Sequence, residues 1–155
     1  MARKLLGVLL AALMTACAVS EGVEQKNAVT SGTGKRIEGV KDSLQRLKGA
    51  FEAGRTSEFM QLVSQAYVGE TTRLETTLTR DFVRARNISL SFTYDNLTFD
   101  EKGAAFVAVT FSLGYTDADT GKQAAKKGET TLLMRFEDGK YKLAEMRSPP
   151  LFGIE

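Results

Sequence analysis

Histidine and tryptophan are absent from this chain of 155 residues, and cysteine occurs once. Histidine is the usual general base near neutral pH and the commonest ligand of transition metals. Its absence excludes Ser-His and Cys-His catalysis, and a single cysteine excludes a cysteine-rich zinc site and a disulfide within the chain. The composition therefore predicts no metal and no cofactor. The length suits one domain whose core needs no disulfide.

The charges nearly balance, with 21 lysines and arginines against 19 aspartates and glutamates. Two of the basic residues, Arg3 and Lys4, lie within residues 1–16, and no acidic residue does. Without that segment the chain has 19 residues of each sign. A nucleic-acid-binding surface usually shows a basic excess, so no nucleic-acid partner is predicted.

The first sixteen residues have the layout of a secretory signal peptide. Arg3 and Lys4 are followed by an apolar run over residues 5–14, and the small residues Thr15 and Ala16 come next. The run is shorter than the roughly 20 residues that span a bilayer. We therefore expect residues 1–16 to be an export signal that is removed.

Met14-Thr15-Ala16-Cys17 resembles the bacterial lipoprotein lipobox, with Met where the family prefers Leu. The resemblance implies cleavage before Cys17, diacylglycerol on its sulfur, and a chain held to a membrane by lipid. Ala18 follows the cysteine where an Asp would favour inner-membrane retention, so the resemblance favours the outer membrane, facing the periplasm. The rival interpretation is an A-x-A site at Ala16-Cys17-Ala18, which would release a soluble protein.

Residues 17–34 are predicted to be the lipidated cysteine and a flexible tether, because residues 18–34 are polar, contain Gly and Ser, and show no periodicity. A domain is predicted over residues 35–155. Its first part has apolar residues at helical spacing, which predicts a helix from Ile37 to Phe51, a second from Thr56 or Ser57 to Gly69, and a third from Thr71 or Thr72 to Asn87.

From Ile88 onward the apolar period changes to two, which predicts about four strands. Asp100–Gly103 is predicted to be a turn, and Asp138-Gly139 a two-residue hairpin. Residues 117–128 are predicted to be a polar loop, made basic by Lys122, Lys126 and Lys127. Pro149-Pro150 ends the last strand, since proline cannot donate to a sheet ladder. The order predicts an α+β fold, with N-terminal helices packed on one face of a curved antiparallel sheet.

This order of elements resembles the NTF2-like (SnoaL-like) superfamily over residues 36–153. The resemblance rests also on Phe51-Glu52-Ala53-Gly54, on the hairpin Phe136–Leu143, and on Pro150-Leu151-Phe152-Gly153. It implies a cone-shaped pocket between the helices and the sheet. Enzymes of the superfamily use Asp, His or Tyr there, and the candidates in this chain are Tyr67, Asp81, Tyr94 and Tyr115. Fold alone does not choose a function.

A carboxylate with a raised pKa could act as a base, and a tyrosine could polarise a carbonyl. The alternative is that the three tyrosines are core or rim residues and that Asp81 is solvated. We expect a noncatalytic domain that binds a small apolar ligand in the cone or a protein partner on the sheet face. The partner could be a second copy of the chain or another envelope protein. A pocket enzyme of the isomerase or dehydratase type and an assembly role in the envelope are the alternatives.

Overall fold

The computed structural model describes the backbone of residues 21–154 and the side chains of residues 32–154. The signal peptide, Cys17 and Ala18 lie outside these residues, so the predictions made for them stay predictions. The chain divides into two compact units, residues 1–33 and 34–155. Everything described below about side-chain packing concerns the second unit.

The first helix begins earlier than its apolar pattern indicates. α1 runs over Glu21–Glu52, so the backbone is helical where the sequence predicted a flexible tether from residue 17 to 34. Five of residues 21–34 are strong helix formers, and a helix already formed over the apolar stripe extends through the others at one hydrogen bond per residue. The stripe itself behaves as predicted, because the following side chains are buried in the core: Val40, Leu44, Leu47 and Phe51.

The second helix is much shorter than predicted. α2 spans only Thr56–Met60. The prediction that it reaches Gly69 is wrong because the chain turns to pair with the last strand. The Leu143 amide donates to the Leu62 carbonyl at 2.8 Å, and the Ser64 amide donates to the Leu143 carbonyl at 2.8 Å. These hydrogen bonds satisfy backbone groups that a longer helix would have paired internally.

The third helix and the sheet follow in the predicted order. α3 spans Thr71–Arg84, ending before the predicted stop at Asn87. The strands are β1 (Ala85–Phe99), β2 (Ala105–Asp117), β3 (Gln123–Glu137) and β4 (Lys140–Met146). They pair antiparallel in the order β1-β2-β3-β4. The predicted α+β class with about four strands is confirmed. Register shifts at Arg86/Ser89 and Tyr94/Asn96 of β1 mark bulges, which bend and twist a sheet.

Two connections test the turn predictions differently. Asp138 and Gly139 have φ of 52° and 78°, as a two-residue hairpin requires, so this prediction is confirmed. The polar loop predicted over residues 117–128 is wrong for its second half, since β3 begins at Gln123. Pairing with β2 continues there, for example between Leu113 and Lys126, and pairing overrides weak strand propensity.

Alternation along the strands separates an inner face, which packs on the helices, from an outer face. Leu90, Val107, Val109 and Leu132 represent the buried inner face. The C-terminal residues join this core: Leu151 and Phe152 are buried completely or almost so. Phe152 lies with its ring centroid 5.5 Å from Phe51 and 5.0 Å from Phe59, both edge-on. The segment after β4 therefore fills the space between helices and sheet.

Gly128 allows this segment to cross β3. A Cβ at this position would lie 2.9 Å from Cγ of Pro149 and 3.2 Å from the ring of Phe111. Real side chains do not approach so closely, and Pro149 belongs to the segment that carries Phe152 inward. Within the described residues, no helix combines the length and the apolar character that crossing a bilayer needs.

Truncation of the buried Phe152 tests how far the core depends on the C-terminal segment. We expect Phe152→Ala to lower the free energy of unfolding by about 3–5 kcal/mol, because a large cavity would remain. The matched control is Phe136→Ala, since Phe136 is 60% exposed. Urea denaturation of both variants measures the difference. Equal losses would show that the segment does not belong to the core.

Candidate functional site

The four residues proposed as pocket chemistry lie on different elements of the fold. Tyr94 and Tyr115 lie on β1 and β2, Asp81 lies on α3, and Tyr67 lies in the turn segment between α2 and α3. Within the described residues, no hydrogen bond, ion pair or ring contact joins any two of them. Their convergence on one cavity, which catalysis requires, therefore stays a prediction.

Asp81 is the most informative of the four, and the expectation that it is solvated is wrong. Its side chain is 1% exposed and points toward the C-terminal segment. Oδ2 accepts a hydrogen bond from the Ile154 amide at 2.9 Å. The other oxygen, Oδ1, is buried without a hydrogen-bond partner, and Arg80 Nε lies 4.0 Å from it. The carboxylate thus fixes the end of the segment that fills the core.

Lys126 supplies a second positive charge near Asp81. Lys126 pairs with the buried Leu113 of β2, which places Lys126 on the inner face of β3. It therefore lies in a strand and not in the predicted loop. Burial lowers the pKa of Lys126, and the Asp81 carboxylate opposes that change. Asp81 therefore has two cations in its surroundings, Arg80 and Lys126. A buried carboxylate with cations nearby occurs in structural ion-pair networks as well as in active sites.

Tyr67 and Tyr94 are half-buried core-edge residues. Burial raises the pKa of Tyr67, and the charge of Glu145 adds to the effect. Burial also raises the pKa of Tyr94, offset in part by the nearby Gln45 side chain, although the two do not meet the geometry of a hydrogen bond. The Lys41 ammonium lies 5.4 Å from the Tyr94 ring centroid. Tyr94 therefore packs against α1, whereas the charged neighbour of Tyr67 is Glu145 of β4.

Four depressions of the described surface have linings that do not include Asp81, Tyr67 or Tyr94. Two of them, of about 490 and 510 Å³, lie on the outer face and share Thr110 and Glu129. Tyr115 lines a third, of about 410 Å³, at the end of the sheet where Asn87 and Gln123 lie. A fourth, of about 490 Å³, lies between α1, α2 and the β3–β4 hairpin. None of these four reaches the interior residues Phe51 and Phe152.

The outer face is lined by small hydroxyl side chains. The depression of about 510 Å³ is bordered by Ser91, Thr93, Thr110 and Ser112, with Lys127 and Glu129 beside them. Thr110 Oγ1 donates to Asp95 Oδ2 at 2.7 Å. The sequence carried a signal for this surface, because the polar members of each alternating strand must share the face opposite the core. A search for single catalytic residues overlooks that signal.

A buried polar cluster also went unrecognised in the sequence. Ser64 Oγ donates to Glu137 at 2.5 Å and accepts from the Ala66 amide at 3.0 Å. Lys142, nearly buried, lies 2.5 Å from Asp138 and 4.0 Å from Glu137. These contacts tie the turn after α2 to the β3–β4 hairpin. Across the described residues, no group of three or more His, Cys, Asp or Glu side chains could hold a metal ion.

No protein-family model and no curated protein matches the sequence. Solved structures do match. A putative scytalone dehydratase from Novosphingobium aromaticivorans has a TM-score of 0.68 at 12% identity, covering 76% of this chain and 85% of that one. A putative dehydratase of the NTF2-like family from Streptomyces avermitilis has a TM-score of 0.64 at 13% identity, covering 74% and 95%.

An NTF2-like superfamily protein from Salmonella enterica matches with a TM-score of 0.62 at 8% identity, covering 74% of this chain and 90% of that one. The fold is NTF2-like. Identities of this size show the fold and carry no activity across. In this NTF2-like domain the space between helices and sheet holds Leu151 and Phe152, and the buried acid Asp81 holds the segment that carries them.

Removal of the Asp81 carboxylate tests its role in holding the C-terminal segment. We expect Asp81→Ala to lower the free energy of unfolding by about 1–3 kcal/mol, because the buried Ile154 amide loses its acceptor. Asp81→Asn keeps an acceptor oxygen and should retain most of that stability. Urea denaturation checks both, with exposed Asp119→Ala as the control. Equal stability of Asp81→Ala and wild type would contradict the assignment.

The raised pKa values of Tyr67 and Tyr94 predict a loss of stability in base. Folding favours the neutral phenols, so their stabilisation is complete below about pH 10, the ordinary pKa of the unfolded side chain, and is lost as the pH rises above it. In the double variant Tyr67→Phe/Tyr94→Phe the decline should be shallower. Denaturation curves between neutral pH and about pH 11 measure the slope. Identical slopes in both proteins would contradict the prediction.

Proposed function

We propose that the chain is a lipid-anchored protein of the bacterial outer membrane, facing the periplasm, whose NTF2-like domain binds a protein partner on its outer sheet face without catalysis. The observation that carries the proposal is the filled interior. Leu151 and Phe152 are buried between the helices and the sheet, where the NTF2-like resemblance predicts a ligand pocket. A domain of this fold with a filled interior has its outer surface left for recognition.

The anchor rests on the sequence around Cys17. A positive n-region, an apolar run and small residues precede the cysteine, and the lipobox resemblance assigns it a diacylglycerol. Each buried methylene contributes about 0.8 kcal/mol, so two or more acyl chains hold a protein durably to a bilayer.

The charges on the outer face favour a second copy of the chain as the partner. Opposite charges, Lys127 and Glu129, lie two residues apart on the same face of β3. In a two-fold interface the same patch meets itself, so Lys127 of one copy can meet Glu129 of the other. Small side chains such as Thr110 and Ser112 lie beside them and allow close approach. This leaves the face suited to a wide, flat protein surface of about 800 Å² per partner.

A pocket enzyme is the second candidate function. The observation that favours it is Oδ1 of Asp81, a buried carboxylate oxygen without a hydrogen-bond partner. Such a site would need the segment 148–154 to leave the interior. Native mass spectrometry of the purified chain tests this candidate, because a pocket domain would carry a small molecule and a filled domain would carry none.

Lipidation at Cys17 is tested by metabolic labelling with palmitate in a bacterial host. We expect the wild-type chain to take up label and the Cys17→Ser variant to take up none. The chain should also sediment with outer membranes after osmotic lysis. Equal labelling of both proteins, or a labelled chain confined to inner membranes, would contradict the proposed anchor or its location.

Self-association through the outer face is tested by sedimentation equilibrium of the Cys17→Ser chain. We expect a dimer that Thr110→Arg weakens by at least about tenfold, because a long cation would separate the two faces. Val83→Arg is the matched control, since Val83 is exposed on α3 and away from the sheet face. A monomer at all concentrations, or a dimer unaffected by Thr110→Arg, would contradict this interface.

A further inference from the structure

The chain enters the 34–155 unit at one end of the sheet. Arg36, two residues after the start of this unit, donates through Nε to Tyr141 Oη at 3.3 Å, and Tyr141 Oη donates to the Gly103 carbonyl at 3.4 Å. Gly103 belongs to the β1–β2 turn, and Tyr141 follows the β3–β4 hairpin. Both connections lie at the same end of an antiparallel sheet. We call this the entry end, defined by Arg36, Gly103 and Tyr141.

The opposite end holds the β2–β3 turn and the junction of α3 with β1. The Ala118 amide donates to the Arg84 carbonyl at 2.8 Å there. β2 has 13 residues between the two ends. At about 3.3 Å per residue, the ends lie roughly 40 Å apart along the strand. Cys17 precedes Arg36 by 19 residues and Arg84 by 67, so along the chain a lipid on Cys17 is much nearer to the entry end than to the far end.

Aromatic side chains cluster at the entry end, and the ring of Phe136 is open to solvent. Phe136 is 60% exposed and lies edge-on to Tyr141, with ring centroids 5.2 Å apart. The Phe99 ring lies 6.2 Å from Tyr141, and the Arg36 guanidinium carbon lies 4.1 Å from the Phe99 ring centroid. Phe136 thus stands on a rigid base of packed rings, so its exposure does not come from a loose loop.

Charges around the cluster are mixed. The cations nearby are Lys35, Arg36, Lys102, Arg135, Lys140 and Lys142, and the acids are Asp100, Glu101, Glu137 and Asp138. Asp138 is paired with Lys142. The excess of two cations gives only a weak electrostatic attraction to anionic lipid. Contact with a bilayer would come from the aromatic ring, since aromatic side chains favour the membrane–water interface.

We propose that the entry end is the membrane-facing end of the domain and that Phe136 inserts into the lipid interface. The proposal rests on the lipid anchor at Cys17 proposed above. Anchoring makes the contact intramolecular, so a single aromatic ring suffices where a free protein would need a larger patch. Insertion orients the domain, leaving the α3–β1 junction pointing into the periplasm.

A single-tryptophan experiment tests this orientation. The chain contains no tryptophan, so Phe136→Trp places one reporter at the entry end. Val83→Trp is the matched control, because Val83 is 74% exposed and lies beside the α3–β1 junction at the far end. Both lipidated full-length variants are reconstituted into phosphatidylcholine vesicles, with and without bromine on the acyl chains.

Interfacial burial reaches about 5–10 Å into the acyl boundary, so we expect bromine to reduce the fluorescence of Phe136→Trp about twofold and to leave that of Val83→Trp unchanged. Equal quenching of both variants, or no quenching of Phe136→Trp in a chain that floats with the vesicles, would overturn the proposed orientation but not the lipid anchor. A wild-type chain that does not float would overturn the anchor as well. Shielding of the Phe136→Trp indole from iodide without vesicles would show that protein covers the ring, which also overturns the proposal.

Discussion

The packing of Phe152 between Phe51 and Phe59 is the interaction on which the rest of the structure depends. It joins three parts of the chain that are far apart in sequence: the end of α1, the short α2, and the segment after β4. Gly128 makes it possible, since any side chain there would meet Pro149 and Phe111. The consequence is a helix–sheet interior filled by the chain itself, in a fold that putative dehydratases share.

The buried C-terminal segment also determines the surroundings of the Asp81 carboxylate. A buried carboxylate in a cone suggests a catalytic role, yet its Oδ2 atom accepts from the Ile154 amide and holds the segment that fills the cone. Lys126, on the inner face opposite Leu113, adds a neighbouring cation. Charge and packing therefore act together to close the interior. Thr110 and Glu129 on the outer face and the ring of Phe136 are exposed to solvent, and these are the surfaces that we propose for recognition.

Much of this fold could be predicted from the sequence because local patterns agree with the tertiary structure. The period-two alternation and the Asp138-Gly139 turn specified the sheet, and the apolar stripe from Val40 to Phe51 specified the buried part of α1. Long-range pairing explains the failures: β4 pairs with the backbone of Leu62 and Ser64, which shortens α2, and β2 extends β3 into the predicted loop. The burial of Asp81 depends on Ile154, 73 residues away, which no local spacing reveals.

Amide hydrogen exchange of the C-terminal segment tests the central claim most directly. If the segment belongs to the core, the amides of Phe152 and Ile154 exchange as slowly as those of the inner strands, and they exchange only on global unfolding. Fast exchange at these two amides, with the strands still protected, would mean that the segment leaves the interior readily. The cone would then be open to a ligand, and the account of a filled, noncatalytic domain would be wrong.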